Sequence, residues 1–232
     1  MNTVKGSFYV LFQSYKKRNI IFWCNLFFII GFTFFINAFF KLDNYYFAFS
    51  ISFPVYFFYC IMATKLLNIT LPYFLKLGLS RMQYTFNIGI FFILWSLTGA
   101  FIITCTHKIA AYFSNLLNVK DIYTLHPIFL FDHSPSFLQM MAFDTALLLF
   151  LLISGLLLNV VFYRLGTIGG YIFIGLLGLI PIVTIIFKWY SPLFDLLSNI
   201  SSIALLSGLL VFSALLYSII TMAIRNASVN AA

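Results

Sequence analysis

The chain has 232 residues, 63% of them apolar and 8% charged, with a mean hydropathy of +1.06. A soluble domain carries about a quarter charged residues, so these proportions exclude an ordinary cytosolic enzyme, a disordered chain and a disulfide-rich secreted scaffold, and leave a protein of the lipid bilayer. The net charge of +8 comes from 13 Lys and Arg against 5 acidic residues, all of them Asp; in a membrane protein such an excess marks cytoplasmic loops, not nucleic-acid binding.

Residues 3–17 come first. Val4, Phe8, Leu11, Phe12 and Tyr15 fall on one helical face, with Lys5, Gln13, Lys16 and Lys17 opposite. That pattern predicts a short helix lying in the inner interface. Lys16-Lys17-Arg18 before an apolar run resembles the start of a signal peptide. The run is too long, however, and lacks a small-x-small cleavage site, so it reads as a retained span.

A helix crossing the hydrocarbon needs about 20 apolar residues. Six stretches qualify: 19–40, 44–64, 86–106, 145–163, 165–187 and 201–224. Lys41-Leu42-Asp43-Asn44 and Arg164-Leu165-Gly166-Thr167 are short enough to make hairpins of spans one and two and of spans four and five. The outer loop, 107–144, holds His126, Asp132 and His133, with Pro127 and Pro135 between apolar residues. No pair at i,i+4 spacing puts two donors on one face, so this segment reads as a loop on the outer interface, aided by Ile109, Tyr112, Phe113, Leu116 and Leu117, and not as a metal site. Asp144 stands where it can cap span four.

Span five carries Gly166, Gly169, Gly170, Gly175 and Gly178, followed by Pro181. They do not share one stripe, so they predict tight internal packing before a moving hinge, and not a GxxxG dimer face. Cys24, Cys60 and Cys105 have no CxxC or Cys/His pairing and read as small core residues.

Charge sets the orientation. Lys5, Lys16, Lys17, Arg18, Lys65, Lys76, Arg81, Arg164 and Arg225 fall on one set of connections, with no acidic residue among them. Lys41, Lys108, Lys120 and Lys188 share the opposite set with Asp43, Asp121, Asp132 and Asp195. The positive-inside rule then puts both termini in the cytoplasm.

The expected spans hold no Lys, Arg, Asp, Glu or His near their middles. An ion-coupled carrier with a buried carboxylate therefore loses support. Leu152-Ile153-Ser154-Gly155 lacks the first Gly of a rhomboid-type nucleophile motif, and Asp-rich metal-binding helices are missing. No catalytic constellation is visible.

The sharpest stretch joins spans two and three: Leu71-Pro72-Tyr73-Phe74-Leu75-Lys76-Leu77-Gly78-Leu79-Ser80-Arg81-Met82-Gln83-Tyr84. Pro72 can open a short helix over about 70–82, Gly78 can end it with a left-handed residue, and Ser80 can cap the next helix. The chain here resembles the permease subunit of an ABC-2-type ATP-binding-cassette exporter. Such permeases carry a coupling helix between spans two and three, and Leu75-Lys76-Leu77-Gly78-Leu79-Ser80-Arg81 matches its pattern.

The resemblance implies an all-α integral membrane fold of the ABC-2, type V exporter-like kind. It would have an N-terminal interfacial helix, six transmembrane helices, both ends inside, and a re-entrant element before span six, for which Ser191-Pro192-Leu193-Phe194-Asp195-Leu196-Leu197 would serve. The chain has no Gly-x-x-x-x-Gly-Lys-Ser/Thr loop, so ATP and Mg would sit on a separate ABC ATPase docking on 72–81 and on the Arg164 turn. The resemblance also implies a second permease chain, the same or homologous, and an amphipathic peptide or lipophilic cargo. The chain also resembles small lantibiotic-immunity and phenol-soluble-modulin transporters, which implies a bacterial plasma membrane. Two rivals stand beside it: the substrate-capturing membrane module of an energy-coupling-factor vitamin importer, and an intramembrane enzyme, which would need a polar cluster at depth.

Overall fold

The computed structural model describes residues 3–40, 47–116, 122–132, 134–192 and 200–225. In chain order these form α1 (Thr3–Phe40), β1 (Phe47–Phe49), α2 (Ser52–Ala63), α3 (Leu66–Lys76), α4 (Arg81–Leu116), β2 (Ile122–Thr124), a 3-10 turn (Pro127–Leu130), α5 (Phe137–Ile186) and α6 (Ser202–Arg225). The architecture is helical apart from the strand pair, a parallel ladder matching Phe47 with Ile122 and Phe49 with Thr124. Four helices, α1, α4, α5 and α6, are long and apolar enough to cross a membrane, and α2 with α3 makes a fifth if that pair, bent by 42°, is one broken span. The chain is thus compatible with a multi-pass membrane protein.

Several expected boundaries change. The interfacial helix and first span are one unbroken helix, because no Gly or Pro interrupts 7–30 and Lys16-Lys17-Arg18 are good helix formers. The stretch 44–64 is not one helix: its described part is β1 followed by the short α2. Pro54, in the first turn of α2, lacks an N–H and blocks the carbonyl four residues back, so the helix cannot extend far upstream. α4 runs on past 106 to Leu116, converting Ile109, Tyr112 and Phe113 from loop to helix.

The Arg164–Thr167 turn is a break inside α5. Gly166 has φ 70° and ψ −174°, a backbone geometry that only glycine adopts without strain. The rings of Phe162 and Tyr171 meet edge-on at 5.6 Å, and a Cβ on Gly170 would land on the Phe162 ring. In a straight helix Phe162 and Gly170 would be about 12 Å apart, so the chain folds sharply at Gly166. Gly175 and Gly178 face open space, which leaves the tight-packing expectation without a neighbour at those two positions. Pro181 sits within the second arm. The Lys41–Asn44 turn, His133, and all of the Ser191–Leu197 element after its first two residues lie outside the described residues.

The core is where α2, α4 and α5 meet, with Val55, Ala63, Ile88, Phe92, Leu148, Leu152 and Leu156 all fully buried. Gly155 allows the α2–α5 approach: a Cβ there would strike the Cys60 carbonyl and lie 2.9 Å from the Ala63 Cβ. α1 packs along α4, with Tyr15 against Phe91 at 5.4 Å and Phe12 against Trp95 at 6.0 Å. Near their starts, Asn87 Nδ2 donates to Ser7 Oγ at 2.9 Å; near their ends, Phe34 and Phe113 wall the same cavity. The two helices therefore run parallel.

The break between α2 and α3 exposes backbone groups inside an apolar core, where each must find a partner. Asn159 on α5 serves two of them. Its Oδ1 accepts from Leu67 N–H at 3.0 Å, and its Nδ2 donates to the Thr64 carbonyl. Tyr15 OH donates to the Met62 carbonyl at 3.2 Å.

Candidate functional site

Two places concentrate polar groups, and they lie at opposite ends of α4, roughly 39 Å apart at 1.5 Å per residue. The first is the elbow between α3 and α4. Pro72 lies inside α3 and does not open it, since the helix already begins at Leu66. One face of α3 is core: Leu67, Leu71 and Phe74 are buried, and Thr70 shares a 2.8 Å hydrogen bond with Tyr84 OH. The other face leaves Tyr73, Lys76 and Leu77 exposed, with Leu75 half-buried.

Gly78 has φ 78° and turns the chain. Leu79 is buried, and Ser80 and Gln83 then form a reciprocal cap: Ser80 Oγ accepts from Gln83 N–H at 3.2 Å and Gln83 Oε1 accepts from Ser80 N–H at 3.0 Å. Arg81 does not simply edge this surface. Its guanidinium donates to the carbonyls of Ile224 and Arg225, at 3.5 and 3.3 Å, holding the C-terminus of α6, where a cation is favoured by the helix dipole. Arg164 is exposed, five residues beyond the Asn159 clamp at the head of α3.

The second place was not foreseen. Ser52 and Tyr56 of α2, His107 of α4, His126 of the α4–α5 loop and Asp144 of α5 form one knot, each 4% exposed or less. Asp144 accepts from Tyr56 OH at 2.5 Å through Oδ1 and meets His126 Nε2 at 3.1 Å through Oδ2. His126 Nδ1 accepts from Ile128 N–H at 3.2 Å. His107 Nε2 lies 3.1 Å from Ser52 Oγ, and its ring stands 4.8 Å from that of His126. Leu125 N–H donates to the Phe49 carbonyl at 2.9 Å, tying the loop to the strand ahead of α2.

One expectation is corrected here. Asp144 does not cap a helix, because α5 starts earlier, with a Ser136–Gln139 capping box at its head; the carboxylate is instead buried in the third turn. His107, His126 and Asp144 of the knot lie at the edges of the expected spans or between them, not near their middles. The signal was a lone carboxylate beside an apolar run, which must find partners, and the i,i+4 spacing of Ser52 and Tyr56. What no sequence pattern offered was the folding of His126 back onto α5.

Asp132 takes no part; its Oδ1 accepts from Ser134 N–H in a local turn. The knot is not a Ser-His-Asp triad, since the carboxylate meets His126 while Ser52 meets His107. Among the described residues no group of three or more His, Cys, Asp or Glu is placed to hold a metal. A cavity of about 310 Å³ opens beside the knot, walled by His107, Lys108, Thr124, Phe129 and Ser134.

Between α1 and α4 run two apolar cavities. One of about 640 Å³ is walled by Phe27, Ile30, Phe34, Ile109 and Phe113. The other, of about 600 Å³, is walled by Phe12, Ile20, Phe91 and Trp95 with Lys16 at its edge. No family model, no curated protein and no solved structure matches this chain.

Proposed function

We propose that the chain is the membrane-spanning subunit of an ATP-driven exporter of the ABC-2 type, energised by a separate ATPase that holds ATP and Mg. The observation that carries this reading is the elbow. Tyr73, Lys76 and Leu77 form an exposed basic–aromatic surface on a helix whose opposite face is core. The Gly78 turn, the Ser80–Gln83 cap and the Arg81 grip on α6 join that surface to two long helices. A push on α3 would thus be passed on to α4 and α6, which is what a coupling helix must do.

The six-span scheme, in which α2 and α3 together make the second crossing and the end of α3 reaches the surface, gains support from two features. α1 and α4 run parallel, as first and third crossings must, and the fold at Gly166 divides α5 into arms long enough for two crossings. In this reading both termini, the elbow and the Gly166 turn face the cytoplasm of a bacterial plasma membrane, and the knot faces outward. A second permease chain completes the path. The apolar cavities along α1 suit an amphipathic peptide or a lipophilic cargo better than an ion or sugar.

Lys76→Glu tests the docking surface while leaving Arg81 and its hold on α6 untouched. It should weaken ATPase binding about tenfold, or 1.4 kcal/mol, with expression and melting unchanged. Normal ATPase binding by a folded Lys76→Glu protein would remove the elbow from the coupling role.

A further inference from the structure

The geometry points to a proton-binding site in the Asp144–His126 pair, filled from the cavity beside His107, whose proton occupancy sets how firmly the α4–α5 loop is held against α2 and α5. This goes beyond the export reading and does not depend on it.

His126 comes from the loop; Asp144 and Tyr56 come from helices. The ring accepts at Nδ1 from Ile128 N–H and so carries its hydrogen on Nε2, pointing at the carboxylate. That is the neutral tautomer. An ionised Asp144 then has two donors, Tyr56 OH and His126 Nε2–H, and no cation in the knot. The groups facing the pair from the packed elements are Ser52 and Tyr56 on α2 and His107 on α4, with Lys108 on the cavity wall. Only His107 belongs both to the knot and to that wall, which makes it the step between water and the pair.

The pair has room for one more proton, and every place for it costs a bond. On His126 Nδ1 it would face the Ile128 N–H, donor against donor. On Asp144 Oδ2 it would face Nε2–H. On Oδ1 it would require the Tyr56 hydroxyl to turn away from donating. Each alternative loosens the knot that pins the loop; the first also undoes the cap of the 3-10 turn, where His126 is the N-terminal acceptor. Measured along α4 from Arg81, His107 lies beyond a 30 Å hydrocarbon core and within the 40–45 Å that includes the headgroups, roughly where water reaches.

The test is hydrogen exchange of the full chain in lipid nanodiscs, read on peptides covering 122–132, corrected for the intrinsic pH dependence of exchange and run from mildly alkaline to mildly acidic pH. Loss of one charge-assisted bond should speed exchange in that loop on the order of ten- to a hundredfold as pH falls, while peptides of the α3–α4 elbow hold steady. Asp144→Asn should move the midpoint, Asp144→Asn with His126→Gln should abolish the step, and His107→Gln should slow its onset without removing it. A pH-independent loop in the wild type would overturn the proposal, as would loosening shared by the elbow. So would a step that survives the double substitution, or one that His107→Gln alone removes. If the double variant does not fold, the wild type, Asp144→Asn and His107→Gln still decide the matter.

Discussion

Replacing Asn159 by leucine keeps the branched shape of the buried side chain, at a somewhat larger volume, and removes both halves of the clamp on the α2–α3 break. The Leu67 N–H, now 3.0 Å from Oδ1, and the Thr64 carbonyl lose their partner in the core. Hydrogen bonds between membrane helices average about 0.6 kcal/mol and reach about 1.7, because the unfolded chain in the bilayer finds other partners. These two groups belong to a break in the helix, so neither has an intrahelical bond to fall back on, and the cost moves toward the ~1–3 kcal/mol of a buried unsatisfied group. We expect Asn159→Leu to destabilise the protein by about 2–4 kcal/mol on those figures. Unfolding in mixed micelles with increasing SDS, followed by the fluorescence of the buried Trp23 and Trp95, would measure it. A cost below about 0.5 kcal/mol, typical of a surface change, would refute the clamp.

Glycine substitutions should separate close approach from open space. Gly155→Ala drives a methyl into the Cys60 carbonyl and toward Ala63 and should cost about 1–3 kcal/mol as overpacking. Gly175→Ala meets nothing within 4 Å and should be neutral or stabilising by a few tenths up to about 1 kcal/mol from helix propensity. Equal costs for the two in the same unfolding assay would contradict the packing described. Gly166→Ala, at φ 70°, should cost about 1–2 kcal/mol from its left-handed backbone. Cross-linking of a cysteine pair placed at 162 and 171 reports the fold there directly: efficient closure in the parent and loss in Gly166→Ala is the expected pattern.

How much of this was readable in the chain depended on the range of the interaction. The elbow was legible because its determinants are local: Gly78 for the turn, Ser80 with Gln83 for the cap. The break at Gly166 was legible for the same reason. Helix ends were misread where one residue outweighed composition. Pro54 cut the second apolar stretch short, and the absence of any breaker from Ala100 to Leu116 carried α4 past the expected end of span three. The knot was not legible, since residues 52, 107, 126 and 144 share no spacing. They meet because α2, α4 and α5 pack against one another and the strand pair holds the loop over their ends. The hydrogen bonds of Arg81 to the end of α6 span more than 140 residues, which its neighbours in sequence could not indicate.

On the proposed reading, the chain works with a separate ATPase docked on the elbow. The most direct measurement is a mild-detergent pull-down of the tagged chain from its native membrane, with mass spectrometry for a Walker-motif ATPase and an assay of vanadate-sensitive hydrolysis. A co-purifying ATPase whose recovery falls with Lys76→Glu is the expected result. A chain that returns alone in repeated native preparations, with no hydrolysis above background, would contradict it and favour a solitary binding module.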